Sequence, residues 1–450
     1  MTARTPVAAG ESRFRYRWAV LSMNFLVLGL NYADRAAIGV AAPLIIAEYG
    51  FSKGTWGWIA AVFSLGYAPF CFVGGATSDR FGPRKVMALA VGWWSLFTAL
   101  TAAGFGFVSF MIIRFLFGFG EGPQASVTAK TMSNWFPQRK LGTSLGLSQA
   151  STPLGGAVGT PIVVALIEAF GGNWRAPFII LGAIGILFLI GWWVVVRDRP
   201  EAHPWVRPVE VEEMRTDAAA HEQAAVGADE PERSLFGYLR MPIVLATALT
   251  YFGYSWVLFT FLTWFPDFLH EAHHLDLSQI ALTGSIPWLC GFVGLALGGV
   301  FTDALGRRIG LFNSRKWTTV VGLLLVACAF GPVGIVRSAY GAVALMAVTV
   351  FILYIVGAQF FAIIGPVIPF RRFGTVSGFV HFIANIAGII APIVLGYVVD
   401  ATGSWELSFV VSAIVVAVPA ILLAVLGRDR RRDAPSTEPA AAAAPSRGER

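Results

Sequence analysis

Gly74-Gly75-Ala76-Thr77-Ser78-Asp79-Arg80-Phe81-Gly82-Pro83-Arg84 returns 224 residues later as Gly298-Gly299-Val300-Phe301-Thr302-Asp303-Ala304-Leu305-Gly306-Arg307-Arg308. In each copy an apolar run closes on small residues, an Asp follows, a Gly makes a tight turn and an Arg opens the next segment. Small residues let helix backbones approach closely, and the Asp can pair with basic groups or a neighbouring helix end. One copy alone could be an ordinary helix turn. Two copies half a chain apart mark a duplicated unit. Gating roles are therefore expected for Asp79, Arg80 and Arg84 and for Asp303, Arg307 and Arg308. Ala304 stands where the first copy has Arg80, which weakens the second latch.

Charge-free runs surround both copies. They cover 54–78, 86–113, 141–167, 176–196, 241–266, 277–302, 317–336, 338–370, 373–399 and 407–427, each long enough to cross about 30 Å of hydrocarbon. Two more apolar segments, Trp18 to about Leu44 and Phe110 to about Met132, carry charge. The expected fold is an all-α polytopic membrane protein with twelve transmembrane helices in two six-helix halves. Composition agrees, with 56% hydrophobic residues, a mean hydropathy of +0.68 and only 13% charged residues, about half the usual share. A soluble, disordered or disulfide-rich chain is excluded. Cys71, Cys290 and Cys328 lie far apart in apolar runs and read as packed thiols.

The positions of Lys and Arg set the orientation. Arg13, Arg15 and Arg17 precede the first span, and the even-numbered turns hold Arg80, Arg84 and Lys85, then Lys130, Arg139 and Lys140, then Arg307, Arg308, Arg315 and Lys316, then Arg371 and Arg372. Arg428 and Arg430–Arg432 follow the last span, whereas the opposite turns offer Lys53, Arg175 and Arg337. Both termini are expected in the cytoplasm. The domain plan is a 1–17 arm, an 18–196 half, a polar 197–240 cytoplasmic linker, a 241–427 half and a disordered 428–450 tail. Topology thus accounts for the net charge of +7, without nucleic-acid binding. The first apolar segment is too long for a cleaved signal peptide and is retained as a helix.

Enzyme chemistry finds little support. No Gly-x-x-x-x-Gly-Lys-Ser/Thr loop exists for an ATP-driven pump. Gly118, Gly120 and Gly122 mimic a nucleotide-binding run but lie within an apolar span, where they permit close packing. His270, His273 and His274 with Asp276 lack a spaced fourth ligand, so a solvated loop is favoured over a metal site. No cofactor and no metal are expected. A membrane-embedded enzyme or a sensor would be the alternative class, yet linker and tail are short for an effector domain.

The charges inside spans point to transport. Asp34, Arg35, Arg114 and Glu121 would each cost a few kcal/mol facing lipid, so they face one another or water. Arg114 and Glu121 are two helical turns apart on one face. With the first span running outward and the fourth inward, Asp34, Arg35 and Arg114 should sit in the outer half and Glu121 nearer the midplane. A salt-bridge cluster that only holds helices together is one reading. A functional reading fits better: a guanidinium grips a carboxylate by two parallel hydrogen bonds, and a carboxyl group in a dry cavity can take up a proton near neutral pH.

Two parallel six-helix halves carrying this loop resemble the major facilitator superfamily, from about Trp18 to Leu426. More narrowly, Asn31-Tyr32-Ala33-Asp34-Arg35-Ala36-Ala37-Ile38-Gly39-Val40-Ala41-Ala42-Pro43, Arg114-Phe115-Leu116-Phe117-Gly118-Phe119-Gly120-Glu121-Gly122 and Asn134-Trp135-Phe136-Pro137 resemble signatures of its anion:cation symporter family. The resemblance implies a monomeric proton-driven importer of small organic anions in the bacterial inner membrane, with members taking sugar acids, tartrate, phthalate-type aromatics, allantoate or sulfonated carboxylates. It implies that Asp34 and Glu121 are proton-linked, that Arg35 and Arg114 handle the carboxylate, and that Tyr67 and Asn385 contact the solute. Exchange or uniport on the same fold is the alternative.

Specificity positions depart from that pattern. Thr152, with Gln149 one turn earlier, supplies the polar position of the fifth span; His381 stands where sugar-acid members tend to have Asn; Gly365 and Pro366 replace a polar pair. Fewer hydroxyl partners would suit a small or aromatic acid. The seventh span offers Tyr251 and Tyr254 on about one face as pocket candidates, whereas its Trp256 and Trp264 read as interface anchors.

Overall fold

The computed structural model describes residues 15–214, 216, 234–357, 359–368 and 370–427. The 1–14 arm and the 428–450 tail lie outside the described residues, as does the linker between 217 and 233. Among the described residues the chain is helical with no strand. The helices are α1 (Arg17–Tyr49), α2 (Lys53–Phe81), α3 (Pro83–Thr101), α4 (Phe107–Glu121), α5 (Gln124–Trp135), α6 (Gln138–Ala169), α7 (Arg175–Val195), α8 (208–214), α9 (Leu235–Leu239), α10 (Pro242–His273), α11 (Leu277–Ile309), α12 (Leu311–Phe330), α13 (Ala339–Gly357), α14 (Gln359–Ile364), α15 (Phe370–Thr402) and α16 (Trp405–Leu426). Among the described residues nine helices are long and apolar enough to cross a membrane. A tenth is α2, bent by 44° just beyond Pro69, which removes a backbone hydrogen bond and loosens the helix. The α4–α5 pair is broken at Gly122-Pro123 and carries Arg114, Glu121 and Lys130, and with α3 lies outside that set.

The duplication reappears in the packing. α1 packs on α6, α2 on α4 and α3 on α7; the same partnerships recur as α10 on α15, α11 on α13 and α12 on α16. Between halves, α2 meets α15 and α6 meets α11, again an exchanged pair. Glycines explain the close crossings. A Cβ on Gly66 or Gly118 would lie 2.2 or 2.1 Å from a carbonyl oxygen of the facing helix, and one on Gly294 would lie 2.2 Å from the Phe351 carbonyl. Any side chain there would force α2 from α4, or α11 from α13.

The two turns differ from each other, and only the second departs from the sequence expectation. Gly82, between α2 and α3, has φ 86° and leaves room for the Asp198 carboxylate, which accepts from the Arg84 N–H at 2.9 Å and so caps α3. Its counterpart is not Gly306. α11 continues to Ile309 with Gly306, Arg307 and Arg308 inside it, and Gly310 takes the turn at φ 85°. Gly306 does not need a positive φ, so the helix runs on until Gly310 supplies one.

The start of the expected linker is ordered. Arg17, fully buried, donates to Glu210 at 2.7 Å and to Glu213 at 2.9 Å, and the backbone N–H groups of Tyr16 and Arg17 also donate to Glu210. The His203 ring packs tilted against Tyr16 with centroids 4.2 Å apart, and burial, with the Arg197 cation nearby, holds its imidazole below the ordinary range. α8 therefore braces the beginning of α1.

Candidate functional site

The four charges of the apolar spans converge where α1, α2 and α4 meet. Arg35 donates from Nε and Nη2 to Oε2 of Glu121, both at 2.8 Å, with Glu121 fully buried. Around the guanidinium lie the rings of Tyr67, Phe63 and Tyr32 at 4.8, 5.0 and 5.2 Å. Helical spacing builds this cage: Tyr32 is one turn before Arg35, and Phe63 one turn before Tyr67. Cation–π attraction holds the arginine in an otherwise apolar wall. The contact ties α1 to the end of α4.

Arg114 stands differently. Its guanidinium lies over Phe63 and Phe117 at 4.9 and 5.0 Å, makes no ion pair among the described residues, and leaves a buried Nε without a hydrogen bond. Asp34 lies beside Thr98 of α3, with Glu121, Arg114 and Arg35 as its charged neighbours. Arg35 and Arg114 together line a pocket whose far wall is Phe259, Leu262 and Thr263 of α10. Both halves therefore form it.

Across the seam the second half presents rings and uncharged polar groups. Tyr251 stacks on Phe360 at 4.2 Å and lies 5.6 Å from Tyr254 and 5.7 Å from His381. Both ring nitrogens of His381 and the hydroxyl of Tyr354 are buried without hydrogen bonds. The charge acting on His381 from the other half is Arg35, which also acts on Tyr354. Thr152 is buried near Tyr32 and Tyr354, and Trp288 of α11 reaches over Gly156 of α6 to 6.2 Å from Tyr32. Gln149 is exposed one turn from Thr152, while Asn385 spends its amide on the His381 carbonyl at 2.9 Å.

Thus Asp34, Arg35, Arg114, Glu121 and Tyr67 come together, and Tyr251, Tyr254 and His381 form the facing group. Tyr32, Phe63, Phe117, Trp288 and Tyr354 were not singled out as site residues by sequence. For the first three, helical spacing from Arg35, Tyr67 and Arg114 was an available signal. Trp288 and Tyr354 sit in featureless apolar runs and gave none.

The expected gating residues divide. Asp79 pairs with Lys130 of α5 at 2.7 Å, and Arg84 lies 3.9 Å over the Trp193 ring and donates to the Trp193 carbonyl. Arg80 stacks on Phe81, and Asp303, Arg307 and Arg308 are exposed. The hydrogen bonds and ion pairs that cross between the halves cluster instead on the opposite face. There Lys53 meets Asp267 at 2.7 Å and Glu271 at 3.0 Å, and Asp400 of α15 accepts from the N–H groups of Lys53 and Gly54 at 2.9 and 2.6 Å. A Cβ on Gly57 would lie 2.4 Å from the Pro392 carbonyl. This face is sealed. The histidine group of the same face has other uses: Asp276 caps α11, its carboxyl held below the usual range by Ser278 and the Gln279 N–H, and His270 meets the Leu275 carbonyl.

Comparison with known proteins adds the family context. The profile described as Major Facilitator Superfamily matches residues 25–392. The chain is 38% identical over 396 residues to a hexuronate transporter of Bacillus subtilis, covering 87% of this chain and 90% of that one. It is 32% identical over 413 residues to a probable sulfoacetate transporter of Cupriavidus necator, covering 91% and 94%. A probable L-galactonate transporter of Escherichia coli is 29% identical over 424 residues, covering 93% and 92%. Among solved structures, an inward-facing, unoccupied bacterial homolog of the human lysosomal transporter Spinster superposes with a TM-score of 0.73 at 18% identity, covering 94% of this chain and 99% of that one.

Proposed function

The chain belongs to the major facilitator superfamily, and from that premise we propose that it imports a small organic anion together with at least one proton by alternating access. Its multi-pass bundle lies in the bacterial inner membrane with twelve spans, both termini cytoplasmic and the Lys53 face outside. The relatives named for hexuronate, sulfoacetate and galactonate support the substrate class. One observation carries the reading: at the seam, Arg35 is hydrogen-bonded to a buried acid while Arg114 beside it makes no ion pair among the described residues.

Two exchanges follow from that arrangement. A carboxylate entering the site meets Arg114, which makes no ion pair among the described residues and whose guanidinium can offer two parallel N–H donors. A proton taken by Glu121 removes the charge that holds Arg35, so Arg35 turns to the anion. Asp34, between Arg114 and Thr98, is the second proton-linked acid. Binding anion and proton together leaves no net charge added to the cavity, which lets the halves rock past the apolar barrier. The Lys53–Asp267–Glu271 group then re-forms behind the solute.

Purified protein in liposomes with an inward proton gradient should accumulate a labelled organic acid above its external concentration. Uptake that ignores the imposed gradient would sink the coupling. Gradient-independent uptake that needs internal substrate would mark an exchanger instead.

A further inference from the structure

We propose, resting on the transport reading above, that the proton on Glu121 leaves for the cytoplasm through a hydrated polar column inside the N-terminal half, apart from the anion. The column runs from Glu121 past Asn31, Gln124, Thr128 and Asn24 to Arg17. Glu121 is fully buried and does not line the pocket that Arg35 and Arg114 share. A proton there needs an outlet of its own.

Sequence spacing builds the column. Arg17, Asn24 and Asn31 recur every seven residues on one face of α1, and all three are fully buried. Gln124, Thr128 and Thr131 mark one buried face of α5. Because α1 and the α4–α5 pair run antiparallel, Asn31 stands beside Glu121 and, two turns on, the Thr128 hydroxyl donates to Asn24 at 3.1 Å and accepts from the Gln124 amide at 3.3 Å. Polar groups that only glued the helices together would be spent on one another. Here Oε1 of Glu121, both amide atoms of Asn31, Nδ2 of Asn24 and Nη1 of Arg17 are buried without a hydrogen bond among the described residues. A row of such atoms is where ordered water binds. The rise of about 10 Å between the two pairs is spanned by Gln124 and by waters about 2.8 Å apart. At the far end Glu210 and Glu213 neutralise Arg17, and the Glu213 side chain is 19% exposed.

One proton moves in each cycle. The Glu121 O–H bond breaks and its carboxylate again holds Arg35. Each water receives one proton and passes one on, so a single proton emerges beside α8. The amides and the Thr128 hydroxyl position the waters and undergo no net change. The charged groups acting on Glu121 are Arg35, Arg114 and Asp34.

The test compares net uptake of labelled glucuronate, galactonate or sulfoacetate by liposomes under an inward proton gradient with counterflow of the same acid without a gradient. Thr128→Val keeps the shape and removes the hydroxyl. Net uptake is expected to fall roughly tenfold and to slow more in deuterium oxide than the unmodified protein does, with counterflow unchanged and Thr128→Ser restoring the rate. Asn24→Leu, expected to act the same way, serves if the first variant does not fold. Net uptake at the unmodified rate in a folded variant overturns the column. So does a parallel loss of counterflow, which marks a packing role alone. Uptake by the unmodified chain that ignores the gradient overturns the symport reading itself.

Discussion

The two halves share one packing plan and almost nothing of their inner chemistry. α1 and α4 bring two arginines and two acids to the seam, whereas α10, α13, α14 and α15 bring tyrosines, a phenylalanine and a histidine to the same seam from the other side. Duplication therefore fixed where helices cross, through glycines at matching crossings, and left the surfaces facing the cavity free to diverge. On the transport proposed above, the first half would carry the electrostatic work and the second shape and uncharged recognition. A transporter built this way needs only one half to respond to a proton.

Breaking the charged side should cost most. Arg114→Ala is expected to abolish uptake and lower anion affinity at least about 100-fold, because two charge-assisted hydrogen bonds are lost. Titration of the variant with a transported acid checks this, and full transport would remove Arg114 from the anion site. Next, Glu121→Gln should abolish uphill accumulation while keeping counterflow exchange. A variant that still accumulates under an imposed pH gradient would shift proton coupling to Asp34.

On the uncharged side the losses should be smaller. Tyr354→Phe deletes one buried hydroxyl and should weaken binding by roughly fivefold to tenfold, about one neutral hydrogen bond. If Tyr354→Phe exceeds Arg114→Ala in effect, the division of labour is wrong. Smallest of all on substrate affinity should be Lys53→Ala, which touches neither wall. Its expected signature is faster alkylation, by about fivefold, of a cysteine placed at Ala60 in a chain freed of Cys71, Cys290 and Cys328. An unchanged rate would deny Lys53 a part in sealing its face.

Much of this was legible in the chain itself, and the limits have physical causes. The repeat around Asp79 and Asp303 announced the duplicated bundle, and a charge inside an apolar run is conspicuous because lipid penalises it. The reading failed where no penalty marks a position. Tyr354 and Trp288 look like any residue of a hydrophobic span, since a ring is equally at home in lipid, core or pocket. Gly306 was taken for the turn because glycine permits a turn, but permission is weaker than the continued hydrogen bonding of α11 to Ile309. Arg17 and Glu210 were assigned to an arm and a linker, since a pairing across 193 positions leaves no local trace. Lys53 and Asp267 escaped for the same reason.

Asp400 lends its carboxylate to a helix that is not its own. In the last turn of α15 a negative charge opposes the field of its own backbone, yet it rests on the first two N–H groups of α2, where the field favours it. Parting the halves on this face would leave an acid at the wrong end of one helix and uncapped amides at the start of another. Both penalties vanish together on closure, so the sealed face behaves as the relaxed end of a spring, and in the import proposed above the entering anion would supply the energy that holds it open.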